Sequence, residues 1–221
     1  MRPQEIDRLL RTPEEPWRNL YLVAIHTGLR RGELLASRWS NLDLEQRRLY
    51  VRRSLGRIRY GKNTVVREAA LKTRSSRRTV DVSPTVGEAL LALPAGDDPE
   101  RDFVFRSQTG GPVDPDNVDR ALKRHLTLAG LPPIRFHDLR HTHASLLIAA
   151  GVHPKAIQAR LGHSSITVTM DRYGHLMPSA FEGVGERLDA LLQGTGKAPT
   201  AAGSTNAGPA RRLEPASLLL P

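Results

Sequence analysis

The sequence predicts a mainly α-helical domain carrying one small three-stranded antiparallel β-sheet. Three observations predict it. Apolar residues recur at helical spacing through most of the 221-residue chain. From Arg48 the segments become short and β-branched, and the period drops toward two. Proline and glycine stand at the borders of these segments, where they start and stop helices. A chain of this length makes one domain or two and buries a proper core.

The elements follow in order. Pro3 occupies a first helical position, with Ile6, Leu9 and Leu10 behind it. Pro16 opens a second helix, whose stripe of Trp17, Leu20, Tyr21, Ala24 and Ile25 ends at Thr27-Gly28. LRRGELLASRW is a third, with Leu34 and Leu35 inward and Trp39 packed as core or as a lid. RRLYVRRSL, TVVREAAL and RRTVDVS are the strands, separated by Gly56, Gly61 and the LKTRSS turn, with arginines along one face. Pro84 starts a helix through Leu93. PAGDDPERD is a polar loop and FVF a brief buried segment. Asp114-Pro115 pairs an N-cap with a first-position proline, and that helix runs to Gly130. Asp138–Ala150 and Pro154–Leu161 are helices stopped by Gly151 and Gly162. Ser164 or Ser165 caps another, with Tyr173 near its end. Ser179–Gln193 is amphipathic, with Phe181, Val184, Leu188, Leu191 and Leu192 on one side. Residues 194–221 are small, polar and proline-bearing, the composition of a disordered tail.

Composition narrows the function. The net charge is +10, which points to a polyanionic partner, nucleic acid first. A genome skewed toward arginine codons is the rival explanation, since lysine occurs only at 62, 72, 123, 155 and 197. Distribution favours the partner: between Arg47 and Arg78 stand twelve Lys/Arg and one acid, Glu68. The absence of cysteine excludes disulfides, thiolate nucleophiles and Cys-ligated zinc. No apolar run approaches the ~18–20 residues that span a bilayer, and the polar, acid-bearing N-terminus is no secretory signal. The reading is a cytoplasmic protein with no membrane partner.

The richest stretch runs from Phe136 to His175 and holds six of the eight histidines. His137, His141 and His143 suggest a metal, but on a helix the first two share a face and the third does not, and Asp138 lies on another face. No metal and no cofactor are assigned. GRIRYGKN nearly matches a P-loop, yet Asn63 replaces the magnesium-binding hydroxyl and a β-branched run follows where a helix is required. AIQARLGHSSITVTMDRY has the form of a helix-turn-helix DNA reader. That reading leaves the neighbouring His, Arg and Tyr unexplained. Phosphoryl transfer on nucleic acid explains more. Cutting a phosphodiester without metal requires a nucleophile, positive charge on the nonbridging oxygens, and an acid for the leaving alkoxide. Arginine grips two phosphate oxygens and stays charged, but is a poor acid. Lysine can be tuned to donate, and Lys72 stands in the turn after the second strand.

These residues carry a resemblance. TGLRRGELLASRW, LKTRSSRRTVDV, FHDLRHTHASLLIAAG and LGHSSITVTMDRYGH resemble, in that order, the four motifs of the tyrosine recombinase (phage integrase) family over roughly residues 1–193. The resemblance implies a mostly helical catalytic domain with a small sheet. It implies that Arg30 and Arg140 hold the scissile phosphate of double-stranded DNA, and that Lys72 protonates the leaving 5′-oxygen. His137 would assist proton transfer, and His163 would bond a nonbridging oxygen. Tyr173 would attack in line to give a 3′-phosphotyrosyl intermediate. Glu33 matches the family's acidic position behind the arginines, and Arg74 and Arg77 are placed as DNA contacts. His141 and His143 are expected to pack or face solvent. Most relatives carry an N-terminal DNA-clamping domain. Here the first helix belongs to the catalytic domain, so the expectation is a fragment, a truncated product or a minimal member. In relatives the segment after the tyrosine docks on a neighbouring protomer of a tetramer on DNA. The apolar face of Ser179–Gln193 suits that role, or packing on its own domain. A DNA-binding protein without catalysis is the alternative function.

Overall fold

The computed structural model describes residues 1–61, 63–71, 73–95, 97–177 and 184–192. The chain divides into two compact units, Met1–Pro178 and Ser179–Pro221.

The first unit is built around a helix that is apolar on every side. Helix α1 (Pro3–Arg11) begins on its proline, with Glu5 reaching back to accept the Arg2 N–H at 2.6 Å. Helix α2 (Trp17–Thr27) buries Leu20, Tyr21, Leu22, Val23, Ala24 and Ile25 in succession. A helix buried all round runs through a core rather than along its edge. It stops at Gly28, whose φ of +65° supplies the left-handed turn. Helix α3 (Arg31–Leu35) follows at once, with Arg30 as its N-cap and the Glu33 carboxylate accepting the Arg30 N–H at 2.9 Å. Trp39, half-buried, packs against this core from a 3-10 turn.

A three-stranded antiparallel sheet is present, but its membership differs from the expected one. Strands β1 (Leu42–Asp43), β2 (Arg48–Val51) and β5 (Arg78–Asp81) form it in the order β1-β2-β5. The segments between form a separate hairpin, β3 (Arg53–Tyr60) against β4 (Asn63–Ala70). The register explains the split. Leu49 and Val80 face each other and are buried, whereas Ile58 and Val65 pair near the hairpin tip and stay exposed. The hairpin base is pressed onto α3. A Cβ added at Gly32 would lie 2.3 Å from the Leu55 carbonyl oxygen.

Helix α4 (Pro84–Leu91) is capped by Ser83, and α5 (Pro115–Leu128) by Asp114, which accepts from Asp116 N–H at 2.9 Å. Helix α6 (Phe136–Ala149) lies against α2. It starts two residues earlier than expected, with Asp138 accepting the Arg135 N–H at 2.8 Å. Helices α7 (Pro154–Leu161) and α8 (Ile166–Tyr173) complete the unit, α8 capped by Ser165. The main core joins α2, α3, the sheet, α4, α5 and the start of α6. A second, smaller cluster joins Ala144, Ile148, Ile157, Leu161 and Tyr173.

In the second unit, helix α9 (Val184–Leu192) carries Leu188 and Leu192, both exposed. The rest of the expected Ser179–Gln193 helix and the tail from 194 lie outside the described residues. Among the described residues, no helix is long and apolar enough to cross a membrane.

Candidate active site

The site is assembled at the two left-handed glycine turns that end α2 and α7. Gly28 ends α2 and Gly162, with φ +66°, ends α7. Arg140, one turn into α6, ties the two turns together. Its guanidinium donates to the Gly28 carbonyl at 2.7 Å and to the Leu161 carbonyl at 2.5 Å. Arg30 reaches across from the other side and donates to the Gly162 carbonyl at 3.4 Å. The two arginines, 110 positions apart in sequence, thus brace the same pair of loops.

Glu33 is the carboxylate beneath them. Its side chain is 1% exposed, and it accepts from Arg30 at 2.7 Å and from Arg78 at 2.9 and 3.2 Å. Burial pushes its carboxyl up, but the Arg78 and Arg30 contacts outweigh this and hold it below the usual range. Arg78 also donates to the Arg160 carbonyl at 2.6 Å, which fixes the C-terminal turn of α7 over the sheet. Two guanidiniums, Arg30 and Arg78, therefore share one carboxylate, and a third, Arg140, lies near it without contacting it. Arg140 is 2% exposed and has carbonyl oxygens, not a carboxylate, as its partners. Burial, with Arg30 nearby, lowers its pKa to about 9. It stays charged at neutral pH, with three of its five N–H groups uncommitted among the described residues. Buried charge is normally paired. A buried cation without a carboxylate of its own makes this a candidate anion site.

The histidines and the tyrosine fall on this charge. His163 follows Gly162 and is locked by local bonds. Its N–H donates to the Gln158 carbonyl and the Gln158 amide donates to its carbonyl, both at 3.1 Å, while Nδ1 meets Thr169 Oγ1 at 2.9 Å. Partial burial, then Arg140, Arg30 and Arg172, lower its pKa to about 4. His137 is also lowered to about 4, by loss of solvent on the ring and then by His141, Arg140, Arg172 and Arg30. Both imidazoles are neutral near pH 7. Tyr173 closes the small core at the end of α8 and is 3% exposed. Burial raises its pKa, against the pull of Arg140 and Arg172. Its Oη lies 2.7 Å from His141 Nδ1.

Arg30, Glu33, His137, Arg140, His163 and Tyr173 are thus gathered in one place. Lys72 lies outside the described residues, as does the Arg74 side chain. Arg77 sits elsewhere, exposed on a cleft of about 640 Å³ lined by Tyr50, Arg52, Arg53 and Arg78. Sequence reasoning missed two residues. His141 is not a packing or solvent-facing histidine, because it bonds the tyrosine. Arg78 was passed over, although it shares the inward face of β5 with Val80, two positions on. His143 does pack, 4% exposed, against the end of α2. A Cβ at Gly28 would lie 2.4 Å from its Cδ2.

The fold and site define a class, mainly helical domains with a split sheet that bring arginines, histidines and a tyrosine together. In three dimensions the chain is similar to the Tn1549 transposon integrase, solved in complex with transposon right-end DNA. The TM-score is 0.70 at 24% identity, covering 87% of this chain and 65% of that one. The chain belongs to the phage integrase family, whose sequence model matches residues 1–179. It is 33% identical to a XerC-like tyrosine recombinase of Caldanaerobacter subterraneus subsp. tengcongensis, over 78% of this chain and 49% of the relative. It is 32% identical to the ICEBs1 integrase of Bacillus subtilis, over 86% and 54%. The chain spans about half the length of these curated relatives.

Proposed function

We propose that this chain is the catalytic domain of a site-specific DNA recombinase that cuts and rejoins double-stranded DNA through Tyr173. The observation that carries this reading is the charge balance: Arg30 and Arg78 share Glu33 while Arg140 has only carbonyl partners, which leaves positive charge uncompensated near the tyrosine. A phosphodiester supplies the missing anion. Arg30 and Arg140 hold its nonbridging oxygens, with His163 donating a further hydrogen bond and His137 assisting proton transfer. Tyr173 Oη attacks phosphorus, the 5′-oxygen leaves, and a 3′-phosphotyrosyl bond conserves the energy for rejoining. Lys72 is the acid for the leaving oxygen, and Glu33 orients Arg30. Arg74 and Arg77 contact the DNA backbone beyond the scissile step. Residues 1–193 make up the catalytic domain. The exposed Leu188 and Leu192 support assembly of four copies on DNA through the C-terminal helix. The protein works in the cytoplasm, where its DNA is.

The test is a suicide substrate carrying a nick beside the cleavage position, followed by a denaturing gel. A covalent protein–DNA adduct is expected, and Tyr173→Phe abolishes it. With DNA binding intact and a relative's N-terminal DNA-binding domain fused in front, absence of any adduct overturns the reading in favour of a noncatalytic DNA-binding protein. Lys72→Ala slows cleavage, and a 5′-thiolate leaving group, which needs no acid, restores most of the loss.

A further inference from the structure

We propose that His141 is the catalytic base that takes the proton from Tyr173. The inference rests on Tyr173 being the nucleophile and adds the fate of its proton. The phenol oxygen and His141 Nδ1 are 2.7 Å apart, and the two ring centroids 5.7 Å apart. That is within the reach required of a base in proton transfer. The backbone fixes this geometry from both ends. His141 stands one residue after Arg140 on α6, and Tyr173 is pinned in the small core against Ala144, Ile148, Ile157 and Leu161.

The resting protonation states are those the transfer starts from, although both shifts oppose the transfer until an anion is bound. Burial raises Tyr173, so the phenol keeps its proton at rest. His141 is lowered by burial and by Arg172, Arg135 and Arg140, against Asp138, so it is a neutral ring. In the Nε2–H tautomer, its bare Nδ1 accepts from the phenol. The His137 ring meets His141 edge-on at 4.9 Å between centroids, and His141 disfavours charge on His137. A bound phosphate supplies the negative charge that lets one of the pair become cationic.

The step balances. The O–H bond of Tyr173 breaks as the N–H bond of His141 forms, and the oxygen's electron pair makes the new P–O bond. The bond from phosphorus to the 5′-oxygen breaks, and that oxygen takes a proton from the acid. In the reverse reaction His141 returns its proton to the departing phenol. His137, under the electrostatic influence of Arg140 and Arg30, then assists proton transfer from the phosphate side.

Single-turnover adduct formation on the nicked substrate tests this with three variants. Tyr173→Phe reports on the nucleophile alone; if it still forms adduct, the reading on which the inference rests falls. His141→Ala is expected to slow adduct formation about 10²–10³-fold with DNA binding unchanged. Added imidazole is expected to recover at least about tenfold, in proportion to its free-base form. His141→Asn keeps a hydrogen-bond acceptor near Oη but cannot hold a proton, and it is expected to remain as slow as the alanine variant. Wild-type speed in His141→Asn would mean that the residue only positions the phenol, and would overturn the proposal. So would a rate within about threefold of wild type in His141→Ala, or no recovery with imidazole.

Discussion

Helix α6 sends two histidines, His141 and His143, to different clusters, each with an arginine, and the two clusters are completed in opposite ways. Around His143 everything is paired. Its Nδ1 donates to the Ile25 carbonyl at 2.8 Å, and its Nε2 accepts from Arg160 at 3.1 Å. Arg160 also donates to the His26 carbonyl at 3.0 Å and forms an ion pair with Asp81. Around His141 the accounts are left open. Arg140 holds two carbonyls, and the nearby carboxylate, Glu33, is already engaged by Arg30 and Arg78. A guanidinium with its own carboxylate ties elements together. Arg140, without one, ties its loops through carbonyls and keeps N–H groups for the phosphate of the proposed reaction.

The contrast can be broken in order of expected effect. Arg140→Ala should reduce adduct formation at least about 10³-fold, the scale of removing transition-state charge stabilisation. Arg160→Ala should leave the rate per folded molecule within about threefold, and an equal loss in both would erase the distinction. Glu33→Gln should destabilise the fold by roughly 3–5 kcal/mol in urea unfolding, because the buried Arg78 loses its counter-charge. Arg160→Ala should cost about 2 kcal/mol, the worth of its charged hydrogen bonds to neutral acceptors, since Asp81 remains solvated.

Acid should act on both clusters. His143 and His163 are held near 4, below the ~6.5 of an unfolded chain. The unfolded state therefore binds more protons between these values. Stability is complete above about pH 6.5 and falls as pH drops toward 4, by about 1 kcal/mol per pH unit for each histidine. Urea midpoints at pH 7 and pH 5 measure this, and His143→Gln should flatten the slope. A slope unchanged in that variant would show that His143 does not titrate on unfolding.

Helix borders were legible because proline and glycine act locally: Pro154 and Gly162 bracket α7, and Gly28 stops α2. Strand pairing was not. The arginine-rich segments alternate as strands should, but which partner each takes depends on what covers it. Leu49 and Val80 find the core, while Ile58 and Val65 do not. The candidate residues that the fold brings together, Arg30, Glu33, His137, Arg140, His163 and Tyr173, were legible as motifs, carried by the family resemblance. Their burial was not, because a sequence does not say that Arg140 is closed in by carbonyls. His141 was legible in principle, one helical turn from His137 on the same face, and Arg78 through its period-two relation to Val80.

The two arginine braces also bear on how the molecule folds. The contact from Arg140 to Gly28 closes a loop of 112 residues, and that from Arg30 to Gly162 one of 132. Such long closures come late, after local helices and the hairpin have formed. Secondary structure should therefore recover before activity does. In a refolding experiment helical signal would lead, and the ability to form adduct would trail it. The gap between the two curves would be a clock for the docking of α6 and α7 onto the N-terminal half.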